Sequence, residues 1–167
     1  HSFSFRDKGF KKNRYIVFAE DRSFQYFTFQ EYLAYVSASY GVPQPDVAEL
    51  VKGFHFEDYT HVLLKELSTG NLKKTYLITA FALRPKLLLL DEPVNGLDFQ
   101  STEFLYQLIS GYKEYGTVLF SSHILESICL TSDRVLVLEQ GKISRIFTGE
   151  EIAAGNIREV LAFEEDH

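Results

Sequence analysis

The chain contains 167 residues with a net charge of −6, and 46% of them are hydrophobic, which is enough for the core of one domain. No segment approaches the ~20 consecutive apolar residues of a membrane-spanning helix, and the acidic balance argues against nucleic acid as the main partner, because a phosphate backbone usually requires a basic face. The single cysteine, Cys129, cannot form an internal disulfide, which fits a reducing compartment.

The first part of the chain predicts two strands followed by helices. The strands lie at Phe3 to Phe5 and at Tyr15 to Phe18. The first helix begins at a capping box formed by Thr28 and Glu31, and Gly41 ends it. A second helix is expected from about Asp46.

The segment from Ser23 to Tyr40 is unusually rich in aromatic residues. They are Phe24, Tyr26, Phe27, Phe29, Tyr32, Tyr35 and Tyr40. Helical spacing turns only some of these rings outward, so part of them must pack in the core. The others either complete that packing or form a surface for a protein partner, because aromatic side chains are favoured in interface cores.

Ser68 stands before a segment with helical periodicity that Arg84 and Pro85 close. A serine at that position caps a helix, and Gly70 allows the backbone to approach a ligand closely. Helix N-termini attract phosphate through free N–H groups and the positive end of the helix dipole. The segment is therefore a candidate phosphate contact, and an ordinary capped helix is the alternative.

Four consecutive leucines, Leu87 to Leu90, predict a strand that is buried on both faces, since a strand with one wet face would alternate. Asp91 and Glu92 follow the leucines, and Pro93 stops the strand. Successive side chains of an extended segment point in opposite directions. One carboxylate can therefore hold a hard cation while the other stands near a reacting water.

The remaining elements continue an alternation of helices and strands. A helix is expected from about Ser101 to Ser110, a buried strand from Thr117 to Phe120 and a short helix from Ile124 to Leu130. The segments Val135 to Glu139 and Ile143 to Phe147 predict a hairpin, and the end is helical from about Glu150, with a break near Gly155. Alternating strands and helices indicate a mostly parallel α/β sheet.

Four motifs stand in order along the chain, and together they resemble the ATP-binding-cassette (ABC) ATPases. Leu67-Ser68-Thr69-Gly70-Asn71 resembles the family signature Leu-Ser-Gly-Gly-Gln, and Leu87 to Glu92 resembles the Walker B strand. Asn95-Gly96-Leu97-Asp98 is similar to the D-loop, and Ser121-Ser122-His123 is similar to the switch histidine at the end of the next strand.

The resemblance implies an α/β fold of the P-loop NTPase type, with a mostly parallel sheet and an inserted helical subdomain. The helical subdomain would span about residues 23–83, and residues 1–22 and 84–167 would form the α/β core with its C-terminal hairpin. Two such domains would face each other head to tail, with ATP and Mg²⁺ between them. One partial domain of this kind, N-terminally incomplete, is expected in these residues.

The resemblance also implies a role for each motif residue. Asp91 would hold Mg²⁺, and Glu20 is a second candidate ligand. Glu92 would be the general base, and His123 would contact the γ-phosphate. Asp98 would report the state of one nucleotide site to the other. The signature residues that would contact the nucleotide of the opposite protomer are Ser68, Thr69, Gly70 and Asn71.

The sequence departs from the family pattern at four points. Thr69 replaces the first glycine of the signature, Asn71 replaces its glutamine, and Glu20 occupies the glutamine position of the Q-loop. No Gly-x-x-x-x-Gly-Lys-Ser/Thr occurs in the 167 residues, although that loop cradles the phosphates in this class of ATPases. We expect that an N-terminal portion of a longer protein is missing, and a natural degenerate ATPase is the alternative.

Within the family, Ile124-Leu125-Glu126 and Tyr40-Gly41-Val42-Pro43 resemble the branch that works with separate export permeases. This implies an ATPase subunit at the cytoplasmic face of the membrane that forms a homodimer or heterodimer and drives a transmembrane permease, with no nucleic acid as partner. The aromatic segment would match the groove that receives a permease helix. The alternatives are a soluble ABC ATPase acting on ribosomes or DNA, and a non-catalytic interaction subunit. These residues alone are expected to be inactive.

Overall fold

The structure is a computed structural model that describes Gly9 and residues 12–162, with side chains as far as residue 160. It divides into two compact units, of which the first ends at Ser121 and the second begins at Ser122. The strand predicted at Phe3 to Phe5 lies outside the described residues.

The first unit contains a parallel sheet of three strands in the order β1-β2-β3 and four helices among its described residues. The strands are β1 (Arg14–Val17), β2 (Leu87–Leu90) and β3 (Thr117–Phe120). The helices are α1 (Phe29–Tyr40), α2 (Ala48–Gly53), α3 (Thr69–Leu83) and α4 (Phe99–Gly111), and 3₁₀ turns occupy Glu57–Tyr59, Leu64–Glu66 and Tyr112–Glu114. Because the three strands are parallel, their carboxyl ends meet at one edge of the sheet.

The helix ends follow signals in the sequence. Thr28 and Glu31 form the predicted capping box at the start of α1, and Gly41 ends that helix in the left-handed conformation with φ 71°. Ser68 caps α3 by accepting a hydrogen bond from the Asn71 backbone N–H. Arg84, with φ 47°, ends α3 before Pro85.

The prediction that the leucine strand is buried on both faces is wrong within the described residues. Leu88 and Leu90 are buried, but Leu87 and Leu89 are only half-buried. Ile16 and Leu119, which flank Leu89 in the sheet register, are 38% and 52% exposed. The described residues thus bury β1 and β2 on one face of the sheet, leave Val118 and Phe120 of β3 half-buried on that face, and cover the other face in part.

Helix α3 runs through the core of the first unit. Its nine residues from Lys73 to Phe81 are all buried, so no face of this stretch is in water. Many of the largest side chains buried in the same unit come from α1, from α3 and from the segment after α2. They include Phe29, Leu33, Phe54, Phe56, Leu64 and Leu77.

The second unit packs two helices on a hairpin. It contains α5 (Leu125–Thr131), β4 (Arg134–Glu139), β5 (Lys142–Thr148), a 3₁₀ turn at Gly149–Glu151 and α6 (Ala154–Ala162). Its core consists of Val135, Val137, Phe147 and Ile157. The break predicted near Gly155 is wrong, because α6 runs through that residue; a helical glycine costs only about 1 kcal/mol, and the buried Ile157 anchors the first turns.

The predicted helices at Asp46, Ser101 and Ile124 are confirmed to within three residues at their starts, and the hairpin is confirmed as an antiparallel pair. Among the described residues, no helix is both long enough and apolar enough to cross a bilayer.

Candidate functional site

The carboxyl edge of the parallel sheet brings three chain segments to the predicted acid pair. The Asp91 backbone N–H donates to the Val17 carbonyl at the end of β1, with an N–O distance of 2.8 Å. The Ala19 N–H donates to Asp91 Oδ2 at 3.4 Å. Asp91 is therefore tied through its backbone to the last residue of β1 and through its side chain to the segment that follows.

Ser121, the residue after the neighbouring strand β3, bonds to both acidic residues. Its hydroxyl donates to Asp91 Oδ1 at 2.7 Å and accepts the Glu92 backbone N–H at 3.0 Å. The motif comparison gave Ser121 no role of its own. The signal was nevertheless present, because residues that follow adjacent parallel strands lie side by side.

Glu92 has a left-handed backbone with φ 44°. A non-glycine residue in that region costs of order 1–3 kcal/mol, so surrounding contacts must hold it there. Its N–H is bound by Ser121, and its carbonyl accepts the Asn95 N–H at 3.3 Å. These two hydrogen bonds hold the backbone of Glu92 in the turn.

Lys73 of α3 lies directly behind this turn. Its Nζ donates to the carbonyl oxygens of Phe18 and Glu92, both at 3.3 Å, and of Asp91 at 3.5 Å. Burial lowers the pKa of Lys73 from its ordinary value, against the opposing influence of the Asp91, Glu92 and Glu20 carboxylates. Sequence reasoning missed this residue, because a lysine in a helical segment gives no signal that its ammonium group is buried.

A second cluster forms where the start of α3 meets the loop 95–98. A Cβ atom on Gly70 would lie 2.3 Å from the Gly96 carbonyl oxygen, so only glycine permits this approach. Gly96 itself has φ 81°. The structure therefore brings the predicted signature segment and the predicted D-loop of the same chain into direct contact.

Asp98 joins these two segments by an ion pair and also caps α4. Its Oδ2 accepts hydrogen bonds from Lys74 Nζ at 2.7 Å and from the Ser101 hydroxyl at 2.9 Å, and its Oδ1 accepts the Ser101 N–H at 2.8 Å. Burial alone would raise the pKa of Asp98, but the hydrogen bonds from Lys74 and Ser101 outweigh it and hold that pKa well below its ordinary value.

Replacing Asp98 with asparagine is expected to lower the free energy of unfolding at neutral pH by about 1–2 kcal/mol, because the buried Lys74 loses its charged partner while the helix cap is retained. The folded-state pKa of Asp98 is depressed, so its contribution is complete above the ordinary pKa of about 3.9 and is lost as the pH falls further. In urea unfolding, the free energies of unfolding of the unmodified protein and of Asp98→Asn should therefore converge as the pH falls below about 4. Asp46→Asn is the control, since within the described residues Asp46 accepts an amide hydrogen bond at the start of α2 and forms no ion pair. A pH-independent difference for Asp98→Asn would contradict the ion-pair explanation.

Comparisons with known proteins agree with this geometry. Residues 4–128 match the family described as "AAA domain, putative AbiEii toxin, Type IV TA system". The "Putative ABC transporter ATP-binding protein AlbC" of Bacillus subtilis is 36% identical over 145 residues, which are 84% of this chain and 61% of that protein. The "Energy-coupling factor transporter ATP-binding protein EcfA2" of Clostridium perfringens is 32% identical over 124 residues, 70% of this chain and 44% of that protein.

The chain belongs to the AAA-domain family that residues 4–128 match. It is an ABC ATPase domain. A solved "Structure of ATP binding subunit of ABC transporter" matches with a TM-score of 0.78 at 23% identity, over 92% of this chain and 64% of that one. The predicted ABC ATPase fold is thereby confirmed. The chain spans about three fifths of the length of AlbC and less than half of EcfA2.

The predicted nucleotide contacts of this ABC ATPase domain lie at the first turn of α3. Ser68 and Thr69 are exposed there, and Gly70 and Asn71 are half-buried. The Ser68 hydroxyl accepts the Asn71 N–H at 3.2 Å, and a hydroxyl that accepts one hydrogen bond can still donate its own proton. The first turn can therefore serve as a helix cap and as a phosphate contact.

Glu20 and His123 lie in different units of the ABC ATPase domain. Glu20 lines a cavity of about 240 Å³ in the first unit, together with Lys73, Tyr76 and Thr69. His123 is exposed in the second unit, in the segment before α5. The metal-binding role of Glu20 and the γ-phosphate contact of His123 stay predictions.

The oxygen atoms around Asp91 suit a magnesium ion that is also bound by nucleotide and water. Mg²⁺ prefers oxygen ligands and is usually held by one or two carboxylates, with phosphates and water completing its shell. The Asp91 carboxylate and the Ser121 hydroxyl supply such oxygens. In the described part of the chain, no group of three or more His, Cys, Asp and Glu side chains could hold a metal ion alone.

Proposed function

We propose that the protein is the ATP-binding and ATP-hydrolysing subunit of an ABC transporter. The observation that carries the proposal is the Asp91–Glu92 pair at the carboxyl end of β2, to which Ser121 bonds from the end of the next strand. Phosphoryl transfer needs mostly positioning and charge stabilisation. A held pair of carboxylates with separate tasks meets that need.

In the proposed mechanism, Asp91 would hold Mg²⁺, and Glu92 orients and polarises the attacking water. When bound, Mg²⁺ would neutralise charge on the phosphate oxygens. Glu92 acts as the general base that takes up a proton of the attacking water. Its backbone N–H and C=O are both hydrogen-bonded within the turn, which supports a fixed position. His123 contacts the γ-phosphate and senses its loss.

A second ATPase domain completes the proposed site, in a homodimer or a heterodimer. Ser68, Thr69, Gly70 and Asn71 of one protomer approach the nucleotide held by the other, and α3 presents the positive end of its dipole there. Support for this arrangement comes from the exposure of Ser68 and Thr69 at the helix start. Asp98 would link the two sites, because it is bonded to Lys74 in the second turn of the same helix.

The proposed partner is a separate transmembrane permease, with the ATPase at the cytoplasmic face of the membrane and no role for nucleic acid. The half-buried Phe24 and Phe27 and the exposed Tyr35 form a partly exposed aromatic surface with ring centroids 5.4–5.9 Å apart. Tyr26, next to Phe27 in the sequence, is 76% exposed, and Lys65 Nζ lies 4.9 Å from its ring centroid. This surface would receive a cytoplasmic helix of the permease.

We further propose that transport is of the export type. The support is the resemblance of Ile124-Leu125-Glu126 and of Tyr40-Gly41-Val42-Pro43 to the branch that works with separate export permeases.

The full-length protein is expected to hydrolyse ATP when Mg²⁺ is present, and chelation by EDTA should stop the reaction. Phosphate release, measured with and without the co-expressed permease, tests this.

The 167-residue chain alone is expected to lack micromolar ATP affinity in calorimetry, because these residues contain no phosphate-binding glycine loop with its lysine.

Two results would contradict these expectations separately. Absence of hydrolysis by the full-length protein under both conditions would overturn the proposed function. Micromolar ATP binding by the 167-residue chain would show that these residues supply their own phosphate cradle.

A further inference from the structure

Lys73 carries a charge in the core of the first unit, and no role described so far uses it. The side chain is 3% exposed. It extends from the second turn of α3, five residues after the Ser68 cap, to the carboxyl edge of the sheet. A charged group is rarely buried unless polar partners compensate it.

The partners of Lys73 match its chemistry. An ammonium group has three donors and no acceptor, and the three acceptors are the main-chain carbonyls of Phe18, Asp91 and Glu92. Two of these carbonyls belong to the acidic turn and one belongs to the segment after β1. Because the bonds go to the backbone and not to carboxylate oxygens, they fix the path of the chain.

The bond to the Glu92 carbonyl bears on the direction of the Glu92 side chain. That residue has φ 44°, and its own N–H is held by Ser121. With the N–H bonded on one side and the carbonyl on the other, the orientation of the Glu92 Cα–Cβ bond is restricted. Loss of the Lys73 ammonium would leave this carbonyl with the hydrogen bond from the Asn95 N–H and would weaken that constraint.

We propose that Lys73 is a positioning residue that sets the orientation of Glu92 for ATP hydrolysis. The inference rests on the proposed function, since it assigns Lys73 a task in that reaction. Lys73 belongs to α3, whose first turn carries the proposed signature contacts. The same ammonium group therefore ties the helix that serves one nucleotide site to the acidic turn that serves the other.

The test is Lys73→Met in the full-length protein, because methionine keeps the unbranched apolar stem and removes the ammonium donor. The expected result is a kcat lowered about tenfold to hundredfold, as for small misplacements of catalytic groups, with KM within about twofold. Lys86→Met is the matched control. Lys86 also donates to a carbonyl, that of Tyr115 at 3.3 Å, but it is exposed and lies at the opposite end of β2.

Two further readouts separate positioning from general structural support. Amide hydrogen exchange in residues 91–95 should be faster in Lys73→Met than in Lys86→Met. When Glu92 is already glutamine, adding Lys73→Met should lower the residual single-turnover rate less than twofold. The reason is that the rate effects of two substitutions do not add when one residue acts through the other. If Lys73→Met does not fold, Lys73→Gln replaces it, because glutamine retains an amide donor. The steady-state kinetics, the amide hydrogen exchange and the single-turnover rate are then measured on that variant.

If the unmodified protein is active and the folded Lys73→Met variant keeps the same kcat, Lys73 has no positioning role. The proposed function is not affected by that result. A full, additive loss in the Glu92→Gln background would also overturn the positioning role, since Lys73 would then act independently of Glu92. If the unmodified protein hydrolyses no ATP, the proposed function fails and the catalytic role of Lys73 fails with it.

Discussion

Glu92→Gln is expected to lower ATP turnover at least about 100-fold while ATP binding remains, because general-base catalysis contributes typically 10²–10⁴-fold. Glutamine has the same shape as glutamate, so the turn held by Ser121, Lys73 and Asn95 should persist. The amide cannot take up the proton of the attacking water. Bound ATP should then accumulate, and with it the ATP-dependent dimer of ATPase domains.

Three measurements on the full-length protein check this expectation. Steady-state phosphate release gives the turnover, equilibrium titration gives the ATP affinity, and size-exclusion chromatography with ATP shows the trapped dimer. Glu103→Gln makes the same chemical change at an exposed position on α4 and should behave as the unmodified protein. Unchanged turnover in Glu92→Gln would remove the general-base assignment, and a loss of ATP affinity would show that Glu92 serves binding.

The sequence was sufficient to predict the placement of the acid pair, because that placement depends on local rules. A run of strand-forming residues followed by two acids and a proline ends at an edge of the sheet, and a parallel sheet brings such ends together. The caps at Thr28, Gly41 and Ser68 were predictable for the same reason: each is a short-range preference of the backbone.

The contacts that hold the acid pair could not be predicted in this way, because they join residues far apart in the chain. Lys73 reaches Phe18 across 55 positions and Glu92 across 19, and Ser121 reaches Asp91 across 30. Nothing in the amphipathic pattern of α3 marks its second turn as buried on every side. Hydrophobic periodicity predicts which face of a single helix is exposed to water. The burial of Lys73 depends instead on how α3, the segment after β1 and the acidic turn pack together.

The same limit explains the error on the leucine strand. Four leucines establish that a strand is apolar on both faces, but burial depends on what packs against each face. Within the described residues, the face that carries Leu89 remains half-covered, beside the exposed Ile16 and Leu119.

Gly70→Ala is expected to destabilise the protein by about 3 kcal/mol, the upper part of the range for overpacking, and to abolish the contact between α3 and the loop 95–98. Helix propensity alone predicts the opposite sign, since alanine is favoured over glycine inside a helix by about 1 kcal/mol. The steric effect should prevail because the added Cβ would lie 2.3 Å from a backbone oxygen, that of Gly96, which has no flexible side chain to move aside.

Gly111→Ala provides the matched control, because a Cβ at that helical position meets no atom within 4 Å. Urea unfolding of the full-length protein should give a lowered midpoint for Gly70→Ala and an unchanged or raised midpoint for Gly111→Ala. The ATPase rate, measured where both variants are folded, should fall only for Gly70→Ala, since displacement of the first turn of α3 moves the proposed signature contacts. Equal midpoints for the two variants would mean that α3 and the loop can separate at little cost. The approach of Gly70 to Gly96 would then hold neither the fold nor the site in place.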